Sequence, residues 1–353
     1  MITRTTRRKV RDALYYVLYH SGAFKVFIRL LSAFRRDHPC IILAYHRVVD
    51  DKMTYLDKGP VVHHHLKYFS KEMTYLKRHF HVIGMDEVVR IMKGREGFRK
   101  PTVAITFDDG YLDNYSLAYP VLKRYGIPAT IYVTTGLVGT SGRTWPDQIE
   151  KALLSTNKDS VLLPFKYVKE KITLRTKEEK EKACLRIGQS LKSIPDDERK
   201  KTLAKLFRNL GMNGEVDNQS TERLMLNWDE INAMNGNGIT IGSHSHSHPV
   251  LSRMPAPEAK EEISLSKKII ENNISAAVRH FAYPNGERED FSEELLEHCR
   301  SVGFESVASL VHGTNSGING DAFNLKRLGA MSPMPVYVGN LVRAVAGGAK
   351  SSQ

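Results

Sequence analysis

Cysteine is scarce: three among 353 residues, Cys40, Cys184 and Cys299, odd in number and far apart. This lacks the close pairs of a zinc ribbon or a secreted disulfide framework, so a reducing compartment is expected. No apolar run approaches the roughly 20 residues a membrane-spanning helix needs. A secretory leader needs an unbroken apolar centre and a small-residue cleavage site, and Lys25 interrupts the only early candidate, so neither span nor cleavage is expected. Internal repeats and low-complexity tracts are missing too. An apolar fraction of 41% beside a charged fraction of 26% describes an ordinary folded chain rather than a disordered or fibrous one. The length admits one large α/β domain with extensions.

Acidic residues are nearly absent from the start of the chain, where Arg4, Arg7, Arg8, Lys9, Arg11, Lys25, Arg29, Arg35 and Arg36 face the single acid Asp12. Much of the net charge of +13 therefore lies there. Leu14, Val17, Leu18, Phe24, Phe27, Ile28, Leu30 and Leu31 recur partly at helical spacing, with Gly22 as a break, so residues 1–38 read as a basic amphipathic helical extension. Two readings stay open: peripheral contact with anionic lipid, on the inner face of the membrane of a cytoplasmic protein, or docking onto the rest of the chain. No basic-aromatic module for nucleic acid appears, and nucleic acid is not an expected partner.

From residue 39 to 335 strands and helices alternate. Cys40–Tyr45, Thr102–Phe107, Ala129–Val133, Ile239–Gly242, 279–283 and Phe304–Ala308 are short apolar runs suited to buried strands, with helical patterns between most of them. Such alternation predicts a parallel sheet with helices outside, and a barrel of this kind carries its working residues on loops after strand C-termini. Residues 150–225 break the rhythm with a hairpin pattern near Leu162 to Leu174 and a charged helical stretch from Lys177 to Leu210, which reads as an insertion. Residues 336–353 read as a C-terminal tail.

Two motifs follow predicted strands. Asp108 and Asp109 leave the strand ending at Phe107, where ionised carboxylates need water, a cation or donors. Adjacent residues leaving a strand point in different directions, so one can bind a metal while the other faces water beside it. His244 and His248, four residues apart between Gly242 and Pro249, can converge within one turn. Two imidazoles and one carboxylate leave positions open, a catalytic rather than structural arrangement. His63-His64-His65 has no acid nearby in sequence and reads as a loop. Trp145, Trp228 and Tyr111 are candidates to face sugar rings, although single aromatics more often pack.

Together these motifs are recognisable. Thr106–Tyr111 and His244–His248 resemble the first two motifs of the polysaccharide deacetylase family (the NodB-homology domain), and Arg279–Gly286 resembles its third in a Phe-Ala-Tyr-Pro-x-Gly variant. Leu43–Val48 contains Tyr45-His46-Arg47-Val48, similar to the early Tyr-His-x-Val motif of poly-N-acetylglucosamine deacetylases. The resemblance implies a distorted (β/α)7 barrel with a helical insertion and an N-terminal helical extension. It implies Asp108 as general base, Asp109, His244 and His248 as ligands of one divalent ion, and His46 as general acid in place of a late histidine, for which His312 is the alternative. Oxyanion and substrate contacts would come from Tyr111, Tyr283, Asn285 and Arg279. Ala282 stands where many relatives carry an arginine that tunes the base, leaving Arg279 and Arg327 as candidate replacements. The implied activity is removal of N-acetyl groups from an amino-sugar glycan with release of acetate. The expected ion is zinc, with cobalt, nickel and manganese as alternatives. A deformylase or cyclic amidohydrolase of the same superfamily, or a glycan-binding relative without activity, are the rival readings.

Overall fold

The apolar run beginning at Cys40 is the first strand of a closed barrel in the computed structural model, which describes residues 4–34, 37–53, 55–56, 61–165, 170–212, 223–330 and 333–347. Two helices come first, α1 (Arg4–His20) and α2 (Ala23–Phe34), then β1 (Cys40–Tyr45), β2 (Arg47–Val49), β3 (His63–His65), α3 (Leu66–His79), β4 (His81–Val82), α4 (Met85–Lys93) and β5 (Thr102–Phe107). Next are α5 (Tyr119–Tyr125), β6 (Ala129–Val133), α6 (Trp145–Ser155), β7 (Ser160–Leu162), β8 (Lys171–Thr173), α7 (Lys177–Lys192) and α8 (Asp196–Asn209). The remainder is α9 (Trp228–Met234), β9 (Ile239–Ser243), α10 (Ala256–Ile274), β10 (His280–Ala282), α11 (Glu293–Ser301), β11 (Ser306–His312), β12 (Leu325–Gly329) and α12 (Met334–Val345).

Seven parallel strands close in the order β1, β5, β6, β9, β10, β11, β12 and back to β1, with β4 added beside β5. Every residue of β1, β5 and β6 is buried, which explains why they read as continuous apolar runs instead of alternating ones. The closure matters for the site. Leu43 and Ala44 of β1 pair with Leu328 and Gly329 of β12, and Tyr45 pairs with Phe107 of β5. His46 and Asp108 therefore leave neighbouring strands at the same rim despite their separation in sequence.

The expected tail from residue 336 is largely the helix α12, whose Tyr337, Val338, Leu341, Val342 and Val345 are buried in the main core. Its apolar spacing, not its terminal position, decides its fate; residues 348–353 lie outside the described ones. On its outer side α12 receives the N-terminal pair. Tyr15 of α1 lies so close to Gly339 that any side chain there would overlap its ring, and Phe24 and Ile28 of α2 join the same core. Residues 1–3 and 35–36 of this extension are not among those described. His63–His65 is a strand rather than the expected loop, paired in parallel with Arg47–Val49. Its acids arrive from distant elements: Glu150 near His63 at 3.8 Å, Glu72 near His64 at 3.4 Å and Asp51 against His65 at 2.6 Å.

The interruption after α6 is a small unit with its own core. Antiparallel β7 and β8 are followed by α7, opened by a reciprocal cap between Thr176 and Glu179, and by α8. Ile149, Leu153, Cys184, Ile187, Leu191, Leu206 and Phe207 bury one another. Residues 166–169, within the expected hairpin, and 213–222 of the expected insertion lie outside the described ones.

Candidate active site

Three side chains from two strand ends converge. One oxygen of Asp109 and one ring nitrogen each of His244 and His248 lie within 4.8 Å of one another, all three residues buried. Asp109 Oδ1 is 3.1 Å from His248 Nε2 and 3.5 Å from His244 Nε2. His244 Nδ1 lies 2.8 Å from the Ala282 carbonyl. A carbonyl only accepts, so Nδ1 carries the proton and Nε2 keeps its lone pair for a metal. Burial pushes the His244 pKa down to about 4, with Asp108 opposing, so the ring is neutral near pH 7. Asp109 Oδ1 is buried with no aligned hydrogen-bond donor, a costly state for an ionised oxygen unless a cation completes it. Burial raises the Asp109 pKa, but His248, His46 and His244 hold it well below the usual carboxylate range. The donor set fits one divalent ion.

The loops are built for this convergence. Asp109, Ser245, His248 and Asn285 all have left-handed backbone, with φ between 61° and 73°, a conformation that costs a non-glycine residue stability and concentrates at functional sites. Glu262 of α10 accepts from the His246 and Ser247 amides at 2.9 and 2.7 Å and from the Ser247 hydroxyl at 2.6 Å. This turns His246 away from the trio toward Thr135, 2.9 Å distant.

Asp108 takes a different partner. Arg327, fully buried on β12, grips it with both arms at 2.6 and 2.9 Å and is itself fixed by the Ser309 carbonyl at 2.8 Å. Burial raises the Asp108 pKa, but Arg327, with His244 and His46, more than offsets it and leaves the carboxyl below its ordinary value. Of the two arginines considered for this task, only Arg327 reaches. Arg279 precedes β10 and so sits at the opposite end of that strand, half exposed and paired with Asp86 and Glu305; the expected substrate contact by Arg279 is corrected.

A cavity of about 350 Å³ opens over the trio and includes His46, Asp108, Asp109, His244, His248 and Asn285 in its wall. His46 Nδ1 is buried without a partner, and Asn114 fixes the His46 carbonyl at 2.8 Å. His312 is exposed at the end of β11 and does not line the cavity. Two expected substrate contacts are corrected. Tyr111 is completely buried beneath the Arg47 guanidinium, 4.6 Å from its ring centre, with its hydroxyl 3.3 Å from Asp147, so it has no face to offer a sugar. Tyr283 stacks on Phe291 at 4.7 Å, and its amide already donates to Ala308. Pro284 has no N–H, which leaves Asn285 as the donor-bearing residue of that loop in the cavity wall. Trp228 packs partly buried against the main core, whereas Trp145 lines the cavity.

The sequence model of the polysaccharide deacetylase family matches residues 95–158 and 198–307, the stretches that carry both acid and histidine motifs. The chain belongs to the polysaccharide deacetylase family. Similarity to individual members is local. The Bacillus subtilis protein YxkH is 46% identical over 56 residues, 15% of this chain and 20% of that protein. A poly-β-1,6-N-acetyl-D-glucosamine N-deacetylase of Staphylococcus aureus is 36% identical over 83 residues, 24% of this chain and 29% of that protein. The matches thus span less than a third of these relatives' length. Among solved structures, IcaB from Ammonifex degensii superposes with a TM-score of 0.55 at 19% identity, covering 88% of this chain and 99% of that one. The Streptococcus pyogenes deacetylase PplD, solved with acetate, gives 0.54 at 18%, covering 87% and 98%. These two likenesses are of fold. The deacetylase family match leaves out residues 159–197, where β7, β8 and α7 stand.

Behind the candidate site lies a second set of largely buried polar groups. Arg47 pairs with Asp113 at 2.8 Å, and Arg143 holds Asp147 at 2.9 Å. His63 stacks on Tyr55 at 4.9 Å near Glu150. Burial pushes His63 down to about 3 and Glu150 up to about 7, so both are largely neutral at mildly acid pH and do not form an ion pair there. Sequence reasoning missed that His63 and Glu150 come together here.

Proposed function

We infer that the protein is a metal-dependent hydrolase that removes N-acetyl groups from an amino-sugar polysaccharide or oligosaccharide and releases acetate. The observation that carries this reading is the placement of a three-donor metal set, a buried carboxylate gripped by arginine and an unpartnered histidine nitrogen around one cavity. The Staphylococcus aureus relative, named for an N-acetylated polysaccharide, supports the substrate class.

Asp109, His244 and His248 would hold one divalent ion, zinc by donor type with cobalt, nickel or manganese as alternatives, which when bound polarises the acetamide carbonyl and acidifies adjacent water. Asp108 takes the proton of the attacking water; ionised and fixed in place, it needs no reorganisation to do so. The water oxygen bonds to the carbonyl carbon, and the backbone N–H of Asn285 donates toward the charge that grows on the carbonyl oxygen. His46 gives its proton to the nitrogen as the C–N bond breaks, so the sugar leaves as an amine and the acyl group as acetate. The proton gained by Asp108 then passes to solvent, and His46 is reprotonated.

The test is product release from N-acetylated, N-formylated and cyclic-amide substrates, with and without chelator. Acetate released from an N-acetylated glycan, abolished by chelator and by Asp109→Ala, is the expected result. Formate release without acetate release would overturn it.

We further infer that the N-terminal helices rest on an anionic lipid surface. Seven of the eleven large apolar residues exposed among the described residues belong to α1 and α2, including Val10, Leu14, Val17, Val26 and Leu30. Val10, Leu14 and Val17 share one helix face, as do Val26 and Leu30, which Lys25 and Arg29 flank. An exposed apolar stripe bordered by cations suits the negatively charged cytoplasmic leaflet. Sedimentation with vesicles of phosphatidylcholine, with and without phosphatidylserine, tests this. Binding should require phosphatidylserine, weaken in salt and fail in Leu14→Asp/Val26→Asp; self-association without vesicle binding would replace the membrane by a second copy.

A further inference from the structure

Gly188 lies inside the 16-residue helix α7, where glycine is less favourable than alanine. Mid-helix glycines usually admit a neighbour's close approach, as Gly339 admits Tyr15. Gly188 does not. It is buried, yet a methyl group placed on it would meet no atom within 4 Å. The room in front of it is the cavity over the metal trio: Leu185, Gly188, Gln189 and Lys192, at helical spacing i, i+3, i+4 and i+7, all line it. The helix is latched in that position, since Lys192 reaches Glu287 at 2.7 Å and Asp290 at 3.1 Å on the segment after β10.

Two hydrogen-bond donors in the same wall lack partners. The indole nitrogen of Trp145 and the side-chain amide nitrogen of Asn285 are buried, and neither finds an acceptor. Each unsatisfied buried donor costs stability, a state retained where a ligand supplies the acceptor. The room kept by the glycine, the apolar edge of Leu185 and two waiting N–H groups describe a pocket for a neutral, oxygen-rich ring.

We propose that the inserted helix α7, through the Leu185-Gly188-Gln189 face, forms a subsite for the sugar residue adjoining the one that carries the scissile acetamide, with Trp145 and Asn285 donating to its oxygens. This rests on the proposed deacetylase reading for the identity of the ligand. It gives residues 159–197, which lie outside the family match, a part in choosing substrate. It also makes length discrimination depend on the insertion together with the barrel's own loops.

The experiment compares binding of N-acetylglucosamine and its linear trimer to tetramer oligomers, by titration calorimetry on the full chain, for wild type, Gly188→Leu and Trp145→Phe. Gly188→Leu adds bulk only to the cavity side and raises helix propensity, so its folding is checked independently by thermal melting, which should be unchanged or higher. Oligomer affinity should fall at least about tenfold in Gly188→Leu while monosaccharide affinity is kept, and Trp145→Phe, which keeps an aromatic ring but loses the indole N–H, should lose about tenfold for the oligomer. Unchanged oligomer binding in Gly188→Leu, or no oligomer binding by wild type, would overturn the subsite. Equal loss for monosaccharide and oligomer would overturn its assignment to the adjoining sugar. Binding is read without turnover, so differential oligomer binding by a protein that releases no acetate would sink the deacetylase reading and leave the subsite standing.

Discussion

Arg327 and Asp108 face each other as a closed fork, Nη1 to Oδ1 at 2.6 Å and Nη2 to Oδ2 at 2.9 Å, across 219 residues of sequence and with essentially no solvent at either side chain. Such a pair repays its desolvation only when both partners are present. Arg327→Met should therefore destabilise the fold by about 3 to 5 kcal/mol, because it leaves a carboxylate buried alone. Urea unfolding checks this. The double variant Arg327→Met/Asp108→Asn should recover part of the loss, and a single variant within about 1 kcal/mol of wild type would show that water reaches Asp108 freely.

The same fork sharpens the expectation for Asp108→Asn. An amide keeps the shape but cannot take a proton, so acetate release from the metal-loaded protein should fall by about 10² to 10⁴. Metal content should stay at wild-type level, since Asp108 is not among the three converging donors. Arg327 would face a neutral amide, so a drop in melting temperature should accompany the kinetic loss. Turnover near wild type in a metal-loaded sample would move the base elsewhere.

The fold was legible because parallel strands buried on both faces leave long apolar runs, as at Cys40–Tyr45 and Thr102–Phe107, and the candidate donors His244 and His248 stood out because their four-residue spacing is local, whereas their convergence with Asp109 depends on the barrel. Residues defined by long-range pairing were not. The sequence could name Arg327 only as one of two candidate partners of Asp108, since only barrel closure brings β12 to that rim. Arg279 misled by its place in a motif: a residue before a strand belongs to the opposite end of the barrel from those after it. Tyr111 follows the Asp108-Asp109 pair by two positions yet turns under Arg47 into the interior. Gly188 did violate a local rule, a glycine within a helix, but that sign gains meaning only once the cavity in front of it is seen.

The buried cluster behind the site sets a pH dependence of stability. Burial raises Glu150 from the ordinary 4.5 to about 7, so the folded protein binds a proton that the unfolded chain has released. The favourable contribution is complete below about pH 4.5 and is lost as pH rises through 7. At about 1.4 kcal/mol per tenfold change in proton affinity, the swing is on the order of 3 kcal/mol. Glu150→Gln can still accept from the Leu56 amide, which bonds Oε1 at 2.9 Å, but does not titrate. Its stability relative to wild type should therefore climb between pH 4.5 and 7, measured by urea unfolding across that range. His63, pushed down to about 3, acts in the opposite sense, costing stability as pH falls below 6.5, and cancels in the comparison. A difference that stays flat with pH would mean Glu150 is hydrated.

The final expectation concerns His46, whose role as acid depends on standing across the reacting group from Asp108. Tyr45 pairs with Phe107 in the barrel, and Tyr45 itself is anchored by Glu72 at 2.9 Å and Tyr337 at 3.2 Å, so the strand end that presents His46 is held from below by α3 and α12. Its Nδ1 is buried with no partner, while His312 stands exposed and outside the cavity wall. An amide nitrogen leaves poorly unless protonated, whereas an aryl oxygen leaves readily as an anion. His46→Gln, fully loaded with metal, should thus lose on the order of 10² or more in turnover of an N-acetylated sugar and far less with an aryl acetate. The ratio of the two losses is the decisive reading, because a merely structural role would depress both substrates alike. Equal losses would remove His46 from the acid role, and a His312→Gln variant that selectively spares the ester would put His312 in its place.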